Sequence, residues 1–160
     1  MNPPARPPAV HYESVVETVP AGRRAVVVLD RDDRQVGSLE FQICHPCRLG
    51  HIGNLAVAAH WQGQGIGRHA VHLALAAGAG YTWSTSRQSS AGRRFFAAME
   101  DETGTAFPSC GTRCPHMDPR MSPGPLATES ARRIGWHAAL RRRKAIREPE
   151  DDQDRCPETP

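Results

Sequence analysis

Two groups of residues in this chain have the types and spacing to do chemistry. The first is Gln62-Gly63-Gln64-Gly65-Ile66-Gly67-Arg68. Its glycines let the backbone come close to a ligand and take conformations that a side chain forbids. If a helix starts near Ile66, its first amides have no partner within the helix and the helix dipole adds positive potential, so the turn suits a pyrophosphate. Arg68 can add a charged contact. Glycines in a strand-to-helix turn can also serve tight packing alone. No Gly-Lys-Ser/Thr follows, so this is not a Walker loop, and the order Gly-x-Gly-x-x-Gly of a dinucleotide fingerprint is missing.

The second group is Cys44-His45-Pro46-Cys47 together with Cys110-Gly111-Thr112-Arg113-Cys114-Pro115-His116. Two thiolates separated by two residues can reach one zinc ion, and the second stretch supplies further soft ligands. Cys44, Cys47, Cys114 and His116 would make a closed, structural zinc site. It would pin the irregular segment after Phe107 to the start of the fourth strand. The alternative is that these are ordinary small thiols, buried or exposed, in a reducing compartment. In that compartment all five cysteines are expected to be reduced, with Cys156 alone in the tail.

The elements that position these groups follow from the apolar pattern. His11 to Val19 and Arg23 to Leu29 are rich in Val and flank Pro20-Ala21-Gly22, which predicts a β-hairpin. From Gln35 to Cys44 the chain alternates, with Leu39, Phe41 and Ile43 on one face and Glu40 and Gln42 on the other, as a half-buried strand requires. Ile52 to Ala58 is a fourth strand. Ile66, Ala70, Leu73, Ala74 and Ala77 recur at helical spacing, with Gly78 and Gly80 as terminators. Tyr81 to Ser86 predicts a short strand. Ser89 or Ser90 caps a second helix that carries Phe95, Phe96 and Met99 on one face and ends at Gly104. Prolines then break the pattern until a basic helix from Thr128 to about Glu148, followed by an acidic tail.

The chain's 160 residues fit one domain with flexible ends, since a core of that size buries roughly 70% of the surface that its unfolded chain exposes. The expected division is a disordered stretch over 1–9, a folded domain over 10–118 and a C-terminal extension over 119–160. The net charge of +3 is mild and nearly all arginine, with Lys144 the only lysine. The basic helix beside the acidic tail reads as solvated, self-neutralising charge, which argues against a nucleic-acid partner. Residues 1–8 lack the apolar stretch of a signal peptide, and the longest aliphatic run, Ala25 to Leu29, is far too short to span a bilayer. A cytoplasmic protein without a membrane partner is expected. Composition says nothing of its oligomeric state.

On these residues the sequence resembles the GCN5-related N-acetyltransferases, whose cofactor loop reads Gln/Arg-x-x-Gly-x-Gly/Ala. Gln62, Gly65 and Gly67 match it position by position. Leu55-Ala56-Val57 resembles the family's splayed fourth strand, whose backbone pairs with the pantetheine arm, and His60-Trp61-Gln62 resembles the usual lead-in. The resemblance covers roughly 35–107. It implies an α+β (α/β) fold with a mixed, mostly antiparallel twisted sheet, two core helices and a C-terminal helix. It also implies an N-acetyltransferase that uses acetyl-CoA as co-substrate and a primary amine as acceptor. Leu55, Ala56, Val57, Gln62, Gly63, Gln64, Gly65, Ile66, Gly67 and Arg68 would bind the cofactor.

Departures from the family bear on catalysis. The family's Asn position is Ser89 and its Tyr position is Phe96, so the hydroxyl that often protonates the departing thiolate is missing, and Phe96 reads as a core residue. The fourth strand carries no Glu to act as base. Glu40 and His51 are the nearest candidates, but each reads better as an ordinary exposed strand or loop residue, so the catalytic residues stay unassigned. The family's two helices between the first two strands, which wall the acceptor pocket, have no room here. The alternative function is a non-catalytic acyl-CoA-binding or zinc-stabilised interaction module.

Overall fold

A computed structural model of the chain describes residues 9–17, 19–117 and Cys156. The elements run β1 His11–Val16, β2 Arg23–Leu29, β3 Gln35–Cys44, β4 Leu49–Val57, α1 Ile66–Ala77, β5 Thr82–Thr85 and α2 Ser90–Thr103, with single 3-10 turns at Ala59–Trp61 and Pro115–Met117. The strands lie in the sheet in chain order; β1 to β4 pair antiparallel and β5 joins β4 in parallel. This is the mixed, mostly antiparallel α+β fold expected from the sequence. The expected basic helix over 128–148 lies outside the described residues.

β1 ends at Val16 rather than at Val19 because Glu17 turns inward. Its buried carboxylate accepts hydrogen bonds from the Arg23 amide (2.8 Å) and guanidinium (2.9 Å), and the turn closes through the Gly22 amide on the Val19 carbonyl at 2.9 Å. No helix is inserted between β1 and β2.

β4 starts at Leu49, three residues before the expected Ile52, and pairs with β3 from Cys44↔Leu49 onward. Its glycines hid this start. Gly50 lies under the Trp83 ring, where an added Cβ would come within 2.5 Å of the indole, so the strand signal is weak where the packing is closest. In β3, Leu39, Phe41 and Ile43 are buried as the alternation predicts.

The register between β3 and β4 slips at Glu40/Phe41. Phe41 opposes Ile52 and Glu40 opposes Asn54, which leaves Gly53 as the extra residue of a bulge. Pairing of β4 with β5 stops at Ile52↔Thr85, the pair just before that bulge, and the two strands then splay.

α1 buries Ile66, Ala70, Val71 and Ala74, and α2 buries Phe96 and Met99. Both helices share one core cluster with Val26, Leu39, Phe41, Ile43, Ile52 and Trp83. Ser89 caps α2 by accepting from the Gly92 amide at 3.1 Å, and Gly104 ends it in the left-handed conformation at φ 68°.

Beyond α2 the described residues 104–117 form a strap. Phe107 packs on Phe96 with ring centroids 5.3 Å apart, Ser109 bridges Thr85, and Gly111 lies directly on Ser84. The strap ends at the edge of β3, where the Gln42 side-chain amide donates to the Met117 carbonyl at 3.3 Å. Cys110 and Cys156 are joined in a disulfide, with Cα atoms 5.7 Å apart. This departs from the expectation of five reduced thiols, since the folded chain brings the tail cysteine to the strap.

Candidate active-site cleft and cysteine cluster

The splay between β4 and β5 opens a cleft of about 600 Å³. Asn54, Leu55 and Val57 form one wall, the segment Thr85 to Ser89 forms the other, and the turn into α1 closes the end. Ser86 stitches the fork where the strands part, its amide donating to the Ile52 carbonyl (2.9 Å) and its hydroxyl to the Gly53 carbonyl (2.6 Å).

The turn has the backbone geometry that an anion would need. Gly63 and Gly65 adopt φ of 74° and 80°, conformations disfavoured by a side chain, yet an added Cβ at either would meet nothing within 4 Å. Conformation, and not crowding, selects glycine there. Gly65 is the α1 N-cap, no side chain caps it, and the first intrahelical bond runs from His69 to the Gly65 carbonyl at 3.0 Å. The amides of Ile66, Gly67 and Arg68 therefore have no partner in the helix and stand where the dipole is positive. Gly67 has a different role: a Cβ there would lie 3.3 Å from the Phe95 ring, so this glycine lets α2 approach α1.

The ten cofactor-binding residues expected from the sequence divide by geometry. Leu55, Val57, Gln62, Gly63, Gly65, Ile66, Gly67 and Arg68 line the cleft, whereas Ala56 and Gln64 do not. Ala56 opposes Ser38 of β3, and the Gln64 side chain turns back to the His60 carbonyl at 3.2 Å. Gln62 braces the loop by donating to the Val57 carbonyl at 2.9 Å. Arg68 pairs with Glu102 of α2 at 3.1 Å, and the same carboxylate takes His72 at 2.7 Å.

Sequence reasoning missed the second wall. Gln88 organises it, donating through its side chain to the Phe107 carbonyl and Thr85 Oγ1, both at 2.8 Å. The one available signal was Gly53-Asn54 inside a strand, a mark of a bulge and hence of a fork.

Neither candidate base stands at the cleft. His51 is buried beneath the strap and shares a hydrogen bond with Ser84 at 2.9 Å. Burial, reinforced by the charge of Arg113, pulls its pKa down to about 4. Glu40 sits on β3 opposite Asn54 and also lies outside the cleft wall. Phe96 is buried at 7% exposure against Phe95 and Phe107, a core residue whose ring edges onto the cleft.

At the other end of β4 the fold brings Cys44, Cys47, Cys114 and His116 together, with one donor atom from each all within 4.8 Å of one another. His116 Nδ1 is 3.4 Å from both the Cys44 and the Cys47 sulfur. Cys44 and Cys114 are buried, Cys47 and His116 exposed. The Cys47 thiol is pushed up to about 11, first by its hydrogen bond with Cys44. Burial opposes ionisation of Cys114, yet hydrogen bonds from Cys44 and Cys47 and from the amides of Met117 and His116 outweigh it, so this thiol ionises below its ordinary range. Three soft sulfurs and an imidazole could hold a zinc ion.

Comparison with known proteins adds the following. Residues 22–100 match a family model described as an acetyltransferase (GNAT) domain. No curated protein matches the sequence. Among solved structures, nourseothricin acetyltransferase aligns at 15% identity and a TM-score of 0.36 over 42% of this chain, which spans 65% of that protein's length. A candidate acetyltransferase from Deinococcus radiodurans R1 aligns at 13% identity and a TM-score of 0.48, over 72% of this chain and 95% of its own. An aminoglycoside acetyltransferase from an uncultured soil metagenomic sample, solved with sisomicin, aligns at 14% identity and a TM-score of 0.36 over 91% of each chain.

Proposed function

Because the chain belongs to the GNAT acetyltransferase family, we propose that it transfers an acetyl group from acetyl-CoA to a primary amine by direct attack within a ternary complex. One observation carries the reading: the uncapped amides at the α1 start face a cleft that opens where β4 and β5 part. In this reading the amides of Ile66, Gly67 and Arg68 take the pyrophosphate, and the edge of β4 from Asn54 to Ala56, beyond its pairing with β5, offers backbone groups to the pantetheine arm.

Among the described residues of the cleft wall there is no carboxylate or imidazole to take the amine proton, and the position of the family's acid is Phe96. Catalysis then rests on holding a neutral amine against the thioester carbonyl, which alone can supply a large part of the rate. The amine attacks that carbonyl, the C–S bond breaks, and the proton lost by the amine passes to water and back to the leaving thiolate. Among the described residues no helix lies between β1 and β2, and in this reading the acceptor side takes large or small amines. The cytoplasmic location expected from the sequence goes with this reading; the Cys110–Cys156 disulfide is the described feature that departs from it.

A non-catalytic acyl-CoA-binding module is the second reading, favoured by Phe96 and by the bare cleft wall. Incubation with acetyl-CoA and a broad amine panel, monitored for free thiol, tests the first. Turnover with at least one amine is expected, and coenzyme A binding without turnover assigns the second. Equal coenzyme A affinity in the wild type and Gly65→Asp removes both.

A further inference from the structure

We propose that Cys44, Cys47, Cys114 and His116 form a structural zinc site that fastens the strap to the β3–β4 turn and, through the strap, holds the second wall of the cleft. His116 lies 72 residues from Cys44 and 69 from Cys47, so no local motif brings the donors together. Zn–S bonds near 2.3 Å and Zn–N bonds near 2.0 Å place the S–N edges of a tetrahedron at roughly 3.5 Å. The two sulfur-to-Nδ1 distances are 3.4 Å. Four protein donors leave no open position, which makes the site structural and not catalytic.

Two further observations point the same way. Cys110 is occupied by Cys156, and the three free cysteines of the chain are those of the cluster. The Met117 amide donates to the Cys114 carbonyl at 3.0 Å, closing the turn that fixes Cys114 beside His116. Cys44, Cys114 and Met117 then seal the inner side with Ala21 and Leu49 around them, while Cys47 and His116 leave the outer side open for the ion to enter.

The link to the cleft runs through the strap. From the cluster it passes Gly111 on Ser84 and reaches Ser109 and Pro108. There the Pro108 carbonyl accepts from the Thr85 amide at 2.9 Å and the Ser109 hydroxyl accepts from the Gln88 amide at 3.1 Å. Those two residues stand in the cleft wall. Among the described residues the strap meets the sheet through the Thr85 bridge and one side-chain hydrogen bond from Gln42 of β3, so the metal adds the tie that a paired sheet edge would otherwise give.

The test uses the full chain, untagged by polyhistidine and purified without chelator, with zinc measured by elemental analysis. About one equivalent is expected, with Co²⁺ substitution giving the visible bands of a tetrahedral thiolate site. Cys47→Ser combined with His116→Ala, both at exposed positions, should lower zinc content at least fivefold while the circular dichroism spectrum persists. Stripping the metal should lower the thermal midpoint by about 10 °C and speed amide exchange at Thr85 and Gln88 about tenfold. Zinc below about a tenth of an equivalent in folded protein, or equal loading of the double variant, overturns the site. Unchanged exchange at Thr85 and Gln88 on metal removal overturns its hold on the cleft. None of these readouts depends on acetyl transfer, so the site and the acyl-transfer reading fail separately.

Discussion

The two ends of β4 are built in opposite ways. At its Val57 end the cleft is made of backbone: a bulge at Gly53, two glycines at positive φ and the bare amides of a helix start, all within 53–68. At its Leu49 end the cysteine cluster is made of side chains brought from segments about seventy residues apart. A site made of backbone tolerates most side-chain changes and fails when a conformation is forbidden. A site made of side chains fails when one donor is removed. The difference predicts which substitutions matter where.

The largest expected effect is on the cluster side and concerns acid. His51 keeps its proton off in the folded chain down to about pH 4, whereas its unfolded form takes one near 6.5. Between those values the unfolded state binds more protons, so stability is complete above about pH 7 and falls as pH drops through 6.5 toward 4, by up to about 3 kcal/mol. Urea titrations from pH 7.5 to 4.5 should show that slope in the wild type and its loss in His51→Gln. Both proteins carry the same cysteine cluster, so the difference between the curves isolates His51.

Next comes Gly65→Asp, which combines a strained left-handed residue with a negative charge at the helix start. Coenzyme A affinity should fall roughly a hundredfold by calorimetry, from about 1–2 kcal/mol of strain and about 1 kcal/mol of unfavourable charge. Zinc content should be unchanged; a parallel loss of zinc would break the separation of the two ends. A smaller effect is expected from Phe96→Tyr, which returns a hydroxyl to the cleft edge. Acetyl transfer should rise about tenfold, below the usual range for a placed acid because the ring is held by Phe95 and Phe107. No gain would mean that the hydroxyl does not reach the leaving sulfur. The smallest is Ser89→Ala, which removes the α2 cap at the cleft wall and should cost about 1 kcal/mol in chemical denaturation with little change in coenzyme A affinity.

Much of the fold was legible because its signals are local. α1 runs from Ile66 to Ala77, where the apolar spacing and the flanking glycines place it, and α2 begins and ends at the expected cap and glycine. The start of β4 was not legible, because Gly50 is selected by the Trp83 ring, a contact with no trace in the neighbouring residues. The second cleft wall was hidden for the same reason, since Gln88 acquires its role from Phe107 and Ser109 across the fold. Gly67 shows a subtler limit: its place in the glycine turn was legible, but its contact with Phe95 was not.

By itself the sequence determined the order of elements, the glycine turn into α1 and the four residue types of the cluster, because periodicity, glycine conformation and ligand chemistry act over a few residues. The tertiary structure alone decided which glycines take a positive φ in the turn and which admits a helix, and that His51 is sealed beneath the strap and not offered to the cleft. It also decided that Cys110 pairs with Cys156 while the other three cysteines meet His116. These outcomes depend on which distant surfaces are pressed together, and close packing sets that only once the whole chain has folded.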